Sequence, residues 1–221
     1  MAADGFAVVV NYVNDDAQAK EVVGLIQAHS GYALAVRADV SVSSEVKRLF
    51  DETLAEFKGI DVVVNNAGVI LYKSVSETSD EEFDRVMRIN VRGTFLVCRE
   101  AARHLSNNGR IINFSSSTTA MMLPTYGTYC ASKGAVEQLT HVLAKELGPK
   151  GITVNCVSPG PTETELFFTG KTPETIQRLT TMSAFGRLGK PEDIANVVSF
   201  LAGKDGAWVT GQNIRANGGT I

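Results

Sequence analysis

A tyrosine and a lysine spaced for one face of a helix are the residues best suited to chemistry in this sequence. Tyr129 and Lys133 stand four positions apart at the start of a stretch with helical periodicity, which places both side chains on the same helical face. A phenol ordinarily has a pKa of about 10, and a nearby ammonium stabilises the phenolate and lowers that value. The pair therefore predicts a tyrosine that acts as a general acid or base.

A serine upstream of the tyrosine completes the candidate group. Ser116 lies in the run Asn113-Phe-Ser-Ser-Ser117, where a predicted strand ends. Open parallel sheets bind their ligands at the carboxyl ends of strands, so we expect this hydroxyl to hydrogen-bond the same substrate oxygen as the phenol. Alternatively, the spacing of Tyr129 and Lys133 has no catalytic meaning, because Tyr-x-x-x-Lys occurs by chance in many helices that have no active site.

The elements that must position these residues alternate along nearly the whole chain. Short β-branched runs are followed by longer stretches of helical period, the pattern of an α/β fold. Runs such as Ala7-Val-Val-Val10 and Asp61-Val-Val-Val64 are apolar on both faces, as expected for parallel strands covered by helices on each side. The predicted strands are Phe6–Tyr12, Tyr32–Ala38, Ile60–Asn65, Arg110–Ser115, Thr153–Ser158 and Gln212–Ala216.

Helices are predicted between these strands. Ser79 with Glu82 three residues later forms a capping box, and Pro191 suits the first turn of a helix. The segment Gly160–Thr172 has no such pattern, and we expect it to be a mobile loop. The predicted helices are Asp15–Ala28, Ser43–Phe57, Asp80–Leu105, Thr128–Leu147, Pro173–Met182 and Pro191–Leu201.

The bulk properties of the sequence exclude several classes of protein. Its 221 residues, 44% hydrophobic and 20% charged, predict a single globular domain over residues 1–221. A formal charge of −3 without a cluster of Lys or Arg argues against a nucleic-acid partner. The three cysteines lack the spacing of metal ligands and indicate a reducing compartment. Since no apolar run suits a membrane helix and Met1–Gly5 is not a basic leader, we expect a cytoplasmic location.

Further motifs lie at or near the carboxyl ends of the predicted strands. They are Asp39-Val40, Asn65-Asn-Ala-Gly68, Asn90-Val-Arg-Gly-Thr94 and Asn155-Cys-Val-Ser-Pro-Gly160. Together with Ser116 and Tyr129-x-x-x-Lys133, in order and in spacing, they resemble the classical short-chain dehydrogenase/reductase family over essentially the whole chain. The similarity is to reductases of the 3-oxoacyl, polyhydroxynaphthalene and aldehyde-reducing kinds. It implies a Rossmann-like, doubly wound parallel sheet with helices on both faces.

The resemblance implies a role for each residue of the candidate group. Ser116 would orient a carbonyl, Tyr129 would exchange its proton, and Lys133 would lower the tyrosine pKa and bind the nicotinamide ribose. Asn90 would hold a water molecule in a proton relay. The alternative for Asn90 is an asparagine inside a helix whose side chain bonds a neighbouring backbone group.

The other motif residues would bind the cofactor. Asn66–Gly68 would pass beside its adenosine side, where glycine allows close approach, or form an ordinary strand-to-helix turn. Asp39 would meet the adenine, unless it serves as a helix-entry residue. Thr162 would bond the nicotinamide carboxamide with Thr164 nearby, unless both are ordinary loop hydroxyls. The predicted cofactor set is Asn11, Tyr12, Asp39, Val40, Asn66, Ala67, Gly68, Tyr129, Lys133, Pro159, Gly160, Thr162 and Thr164.

The start of the chain departs from the family pattern. Family members open with a strand, a glycine-rich turn and a helix whose amino end receives the cofactor's pyrophosphate, whereas Met1–Phe6 resembles only the end of that helix. A unit of roughly 30 residues is therefore expected to be missing. Its strand would lie mid-sheet beside Phe6–Tyr12, and its loss would leave backbone groups unpaired. Either the start of the sequence is truncated or misassigned, or this form has a rearranged cofactor site.

The end of the first strand bears on the choice of cofactor. An NAD enzyme would place Asp or Glu there to accept hydrogen bonds from the ribose 2′-hydroxyl, whereas Asn11 and Tyr12 are neutral. This favours NADP(H) over NAD(H). Two observations weaken the preference: Asp15 and Asp16 follow closely, and no local arginine is present to meet a 2′-phosphate.

These patterns bear on three functions. The first is hydride transfer between NADPH and a carbonyl or alcohol, with an apolar or aromatic substrate indicated by Leu166, Phe167 and Phe168. The second is a non-catalytic binding or assembly subunit, since the family forms tetramers through the helices predicted at Asp80–Leu105 and Thr128–Leu147. The third, a sugar-nucleotide epimerase, would need a longer carboxyl-terminal region. The expected partners are a small-molecule substrate and further copies of the chain, as a dimer or tetramer.

Overall fold

All strands of the computed structural model, which describes residues 1–221, run parallel to their neighbours. Their runs of Val and Ile suit a pleated, covered surface. Each strand coincides with a predicted one to within two residues at either end, so the predicted α/β class is confirmed. The strands are β1 (Val8–Tyr12), β2 (Ala33–Arg37), β3 (Val62–Asn65), β4 (Arg110–Phe114), β5 (Thr153–Pro159) and β6 (Asn213–Ala216).

Helices connect the strands and cover both faces of the sheet. The predicted capping box is present, because the Ser79 hydroxyl accepts the Glu82 N–H at 3.3 Å and the Glu82 carboxylate accepts the Ser79 N–H at 2.9 Å. The helices are α1 (Asp16–Ala28), α2 (Ser43–Phe57), α3 (Asp80–Met87), α4 (Thr94–His104), α5 (Thr118–Met121), α6 (Gly127–Leu147), α7 (Glu165–Phe168), α8 (Pro173–Met182) and α9 (Pro191–Ala202).

One helical prediction and one loop prediction were wrong in detail. The stretch Asp80–Leu105 is not one α-helix, because a π-helical segment, Arg88–Gly93, separates α3 from α4. The π-helical segment buries the Asn90 side chain completely. The spacing of apolar residues along the sequence does not reveal a single π-helical turn, so one continuous α-helix was predicted. Within the predicted loop Gly160–Thr172, the Thr164 hydroxyl caps the short helix α7 by accepting the Phe167 N–H at 3.2 Å.

Alternate residues of the central strands pack against two different hydrophobic clusters. On β4, Ile111 belongs to the larger cluster, which α2, α4 and α6 cover. Its neighbour Ile112 belongs to the second cluster, which α9 covers. Neither isoleucine is more than 1% exposed. Burial on both faces confirms the doubly wound arrangement that the sequence predicted.

The strands form two sheets rather than one. β1 pairs only with β2, while the other four strands pair in the order β3-β4-β5-β6. One edge of β1 and one edge of β3 therefore have no partner strand. On β3, Val62 and Val63 pack against the two core clusters, yet Val64 is 38% exposed. Unpaired backbone beside the first strand was expected from the sequence, and the division of the sheet agrees with that expectation.

None of the helices combines the length and the apolar character that crossing a membrane requires.

Hydrogen exchange along β3 tests the division of the sheet. The Arg110 N–H donates to the Asp61 carbonyl at 2.8 Å, so the alternation of a parallel strand turns the Val63 amide towards β4 and the amides of Val62 and Val64 towards the free edge. An amide without an internal acceptor exchanges more readily. We expect Val62 and Val64 to exchange at least about tenfold faster than Val63 when followed by NMR. Equal protection of the three amides would show that this edge is paired.

Candidate active site

One cavity of about 470 Å³ brings together most of the predicted site residues. It lies where β3, β4 and β5 end, the edge at which parallel sheets bind ligands. The cavity does not reach the other predicted residues, Asn11, Tyr12, Asp39, Val40, Ala67 and Asn90. The predicted residues that line it are Asn66, Gly68, Ser116, Tyr129, Lys133, Pro159, Gly160, Thr162 and Thr164.

Tyr129 and Lys133 enter the cavity from the first two turns of α6. Their side chains are almost fully buried, with 8% and 5% of each residue exposed. The Lys133 ammonium lies 5.8 Å from the centre of the Tyr129 ring and donates a hydrogen bond to the Phe114 carbonyl at 2.8 Å. An ammonium has three protons, so two of those on Lys133 remain for a ligand in the cavity.

Ser116 follows β4 and presents its hydroxyl beside the tyrosine. Its oxygen accepts hydrogen bonds from the Thr118 N–H at 3.3 Å and from the Thr118 hydroxyl at 2.9 Å. A hydroxyl oxygen has two lone pairs and one proton. Because both lone pairs are occupied, Ser116 is left as a hydrogen-bond donor, the role needed to hold a carbonyl oxygen.

Burial has opposite effects on the two ionisable groups. It raises the pKa of the Tyr129 phenol to about 12, against the opposing effect of the neighbouring Ser116 hydroxyl. It lowers the pKa of the Lys133 ammonium to about 8. The sequence predicted a lowered tyrosine pKa; in this structure the pKa is instead raised, because loss of water is the largest effect on the phenol. At neutral pH the phenol keeps its proton and most of Lys133 is charged.

A buried polar network fixes α6 against the sheet. The Asn65 amide, at the end of β3, donates to the Asn113 side-chain oxygen at 2.8 Å, and the Asn113 amide donates to the Thr140 hydroxyl at 2.9 Å. Asn113 and Thr140 are fully buried, and Asn65 is nearly so. These hydrogen bonds restrict how α6 lies on β4. They thereby set the direction of the side chains at the amino-terminal end of α6.

Asn90 is hydrogen-bonded to groups distant in the chain, not to a neighbouring backbone group of its own helix as in the alternative prediction. Its side-chain oxygen accepts the Val69 N–H at 2.8 Å, and its amide donates to the Val69 carbonyl at 2.8 Å and to the Ser132 hydroxyl at 3.0 Å. Both amide protons are used, and the residue is fully buried. In this structure Asn90 joins the loop after β3 to α6, while its place in a proton relay stays a prediction.

Four predicted cofactor residues outside the cavity make contacts within the protein. The Asn11 amide donates to the Ala38 carbonyl at 2.9 Å and holds β1 to β2, and the Tyr12 phenol donates to Asp16 at 2.6 Å. The Asp39 carboxylate accepts the Ser41 N–H at 2.8 Å, within the turn that precedes α2. Val40 packs in the larger core cluster.

Several residues of the cavity were missed by the sequence analysis. The ring of Tyr72 packs edge-on against Tyr126 at 5.0 Å between centres, and Tyr126 lies 6.5 Å from Tyr129. Tyr126 stands three positions before Tyr129, a spacing that could have marked it. Tyr72 and Lys171 lie in irregular segments without a periodic pattern, so only the folded structure brings them to the cavity.

Glu137 was missed as well, although it follows Lys133 by one helical turn. Its carboxylate accepts the Ser115 hydroxyl at 2.6 Å and the Thr119 hydroxyl at 2.8 Å. These two residues flank Ser116. The carboxylate therefore ties the segment that carries Ser116 to the helix that carries Tyr129, and it fixes the distance between the serine and the phenol.

The cavity fits the nicotinamide end of the cofactor that the sequence implies. A β-carbon at Gly68 would lie 3.3 Å from both the Asn90 side-chain oxygen and the Lys133 nitrogen, so glycine keeps this wall open beside the ammonium. The free protons of Lys133 suit ribose hydroxyls, and Thr162 lines the same space. Of the residues predicted for the adenosine end, Asn66 and Gly68 line the cavity, whereas Asp39, Val40 and Ala67 lie outside it.

Comparison with known proteins gives a consistent result over the whole chain. Residues 1–220 match the family model described as enoyl-(acyl carrier protein) reductase. A short-chain type dehydrogenase/reductase from Picea abies is 44% identical, in an alignment covering 100% of this chain and 85% of the relative. An NADPH-dependent aldehyde reductase-like protein, chloroplastic, from Arabidopsis thaliana is 41% identical, covering 100% of this chain and 87% of the relative.

The solved structures agree with the sequence relatives. A short-chain dehydrogenase from Burkholderia cenocepacia, crystallised in complex with NADP, superposes with a TM-score of 0.93 at 33% identity. The superposition covers 99% of this chain and 89% of the crystallised one. The likeness therefore extends to all the elements that build the cavity.

Replacement of Lys133 by methionine tests the electrostatic account of the site. Below about pH 8 the folded chain holds a buried ammonium that costs stability, because the pKa is lowered from 10.5 to about 8 on folding. That difference corresponds to roughly 3 kcal/mol. Lys133→Met should therefore raise the unfolding midpoint at pH 7, and the gain should fade between pH 8 and 10.5, where only the unfolded chain retains the proton.

Thermal unfolding followed by circular dichroism across this pH range measures the effect. Lys145→Met, which removes an exposed lysine from the same helix, is the matched control and should change little at any pH. Destabilisation by Lys133→Met at every pH would show that the lysine supports the fold rather than straining it.

Proposed function

This chain belongs to the short-chain dehydrogenase/reductase family, and from that membership we propose that it is an NADPH-dependent reductase of ketones or aldehydes. The reverse reaction would oxidise the corresponding alcohols. One observation carries the proposal: a hydroxyl left as a donor, a protonated phenol and an ammonium share one cavity at the carboxyl ends of the strands.

The three side chains would divide the work of carbonyl reduction. When bound, the cofactor supplies the hydride that the carbonyl carbon accepts. Ser116 donates a hydrogen bond to the carbonyl oxygen and holds it beside Tyr129. Tyr129 then transfers the proton on its phenol oxygen to the substrate oxygen as negative charge develops there. Lys133 binds the nicotinamide ribose, and its charge stabilises the phenolate that remains.

The raised pKa of Tyr129 supports the direction of reduction. Reduction needs a phenol that still holds its proton, and burial keeps the phenol protonated throughout the neutral range. An alkoxide is far more basic than a phenolate, so the transfer remains downhill even from a phenol of raised pKa. Oxidation would need the phenolate, which the buried environment disfavours in the absence of other charges.

The surroundings of the first strand support NADPH rather than NADH. The two carboxylates that follow β1 are already engaged: Asp16 pairs with Lys20 at 2.7 Å, and Asp15 accepts the Gln18 N–H at 2.8 Å. These partners hold both carboxylates in local contacts, and Asn11 and Tyr12, at the end of β1, are neutral. The Arabidopsis relative is named as NADPH-dependent, and the Burkholderia structure contains NADP.

The proposed substrate is an apolar or aromatic carbonyl compound. The cavity is lined by many aromatic and aliphatic side chains, among them Tyr72, Leu123, Tyr126 and Phe167. We also propose that the chain forms a homo-oligomer, since α4 and α6 expose apolar side chains such as Phe95 and Val142. The cytoplasmic location and the single domain over residues 1–221 stay predictions.

Replacement of Tyr129 by phenylalanine tests the proposed proton transfer. Loss of a general acid typically lowers the rate by about 10²–10⁴-fold, and we expect a fall of that size in kcat for NADPH-dependent reduction of an aromatic aldehyde. The ring itself remains, so the fold should be unchanged. Tyr126→Phe, a neighbouring phenol in the same cavity, is the matched control and should keep most of the activity.

Calorimetric titration with NADPH separates loss of chemistry from loss of binding. Tyr129→Phe should bind NADPH as the unaltered chain does. Turnover retained by Tyr129→Phe would overturn the assignment of the proton donor. An unaltered chain that binds no NADPH would favour the non-catalytic assembly subunit instead.

A further inference from the structure

We propose that Lys171 makes the cavity selective for carbonyl substrates that also carry a carboxylate or a similar anionic group, by binding that group. The inference rests on the proposed reductase function and specifies its substrate class. It comes from an ammonium that lines the cavity beside Tyr72 and Phe167 and has no acidic partner.

Lys171 is held at the cavity wall by its neighbours. It lies between α7 and α8, and its ammonium donates hydrogen bonds to the Tyr72 phenol oxygen at 2.5 Å and to the Phe167 carbonyl. The nitrogen also lies 4.3 Å and 4.4 Å from the ring centres of Tyr72 and Phe167. The charge therefore sits at a defined place against two aromatic faces rather than extending freely into water.

The charge of Lys171 is not neutralised within the chain. None of the nine ion pairs includes this residue. Partial burial lowers the pKa of Lys171, with no carboxylate close enough to raise it. Two of its three protons have acceptors, so one proton and the whole charge remain for a ligand. An anion in the cavity would supply both the missing acceptor and the missing counter-charge.

The aromatic side chains connect this cation to the reacting phenol. Tyr72, which accepts from Lys171, packs edge-on against Tyr126, and Tyr126 lies beside Tyr129. A substrate lying along this wall would meet the phenol at its carbonyl end and the ammonium at its other end. The wall between them is apolar, so an aromatic spacer between the carbonyl and the anionic group fits it best.

A purely mechanical role makes a different prediction from the proposed one. The hydrogen bond from Lys171 to Tyr72 also ties the segment after α7 to the loop that carries Tyr72. If that tie were its only role, loss of the ammonium would loosen the cavity for charged and neutral substrates alike. Substrates that differ only in charge therefore distinguish anion binding from a tie between loops.

Matched aldehyde pairs test the inference in NADPH-dependent reduction. The pairs are 4-formylbenzoate with its methyl ester, and the longer 6-formyl-2-naphthoate with its methyl ester. Lys171→Met should lower kcat/KM for at least one of the two carboxylates by about 10- to 100-fold, mainly through KM, because a charged hydrogen bond is lost. The corresponding ester should change by less than about threefold. Lys171→Arg should retain most of the preference for the acid, and Lys145→Met should behave as the unaltered chain.

Three outcomes would count against the inference or against its premise. If Lys171→Met lowers kcat/KM equally for acid and ester, Lys171 has only the mechanical role. If kcat/KM is unchanged for both, Lys171 takes no part in substrate recognition. Either result overturns the inference. Turnover of none of the four aldehydes would instead count against the proposed reductase function. Calorimetric titration of the same acids and esters needs no turnover, so it tests the inference independently of the reductase function. The acid must bind more tightly than the ester, and Lys171→Met must abolish that difference.

Discussion

Removal of Tyr129 and Lys133 from water is the constraint on which the rest of the site depends. Burial opposes ionisation of both groups, so the phenol is half-ionised only near pH 12, while the ammonium is half-deprotonated already near pH 8. A phenol that holds its proton is a donor rather than a base. The site is thus poised to give a proton to a substrate oxygen, and a ligand that brings charge or hydrogen bonds into the cavity would alter that balance.

Placing two such groups in a protein interior requires a rigid support. The network from Asn65 through Asn113 to Thr140 locks α6 against the sheet, and Asn90 ties the loop after β3 to the same helix. Glu137 holds the residues on either side of Ser116. These polar groups are satisfied by one another, so the helix has one favourable position on the sheet. The positions of the reacting side chains follow from that position.

The sequence predicted the strands, the main helices and the central residues of the site because these depend on local patterns. Continuous Val runs, the Ser79 capping box and the four-residue spacing of Tyr129 and Lys133 are all visible without a fold. The π-helical segment around Asn90 was not predictable, because it is stabilised by contacts to Val69 and Ser132, which are distant in the chain. For the same reason Lys171 and Tyr72, 99 positions apart, could not be recognised as neighbours. The sign of the tyrosine pKa shift was wrong because spacing reveals a nearby charge but not the loss of water.

The most direct test of this account is the titration of Tyr129 itself in the chain without cofactor. Tyrosine labelled with carbon-13 at the ring carbon bearing the hydroxyl reports ionisation by NMR, and the difference from Tyr129→Phe identifies the resonance. The account predicts that this resonance stays at its protonated position from pH 6 to about pH 11, because burial raises the pKa of the phenol to about 12. A resonance that titrates with a midpoint at or below the ordinary value of about 10 would contradict it.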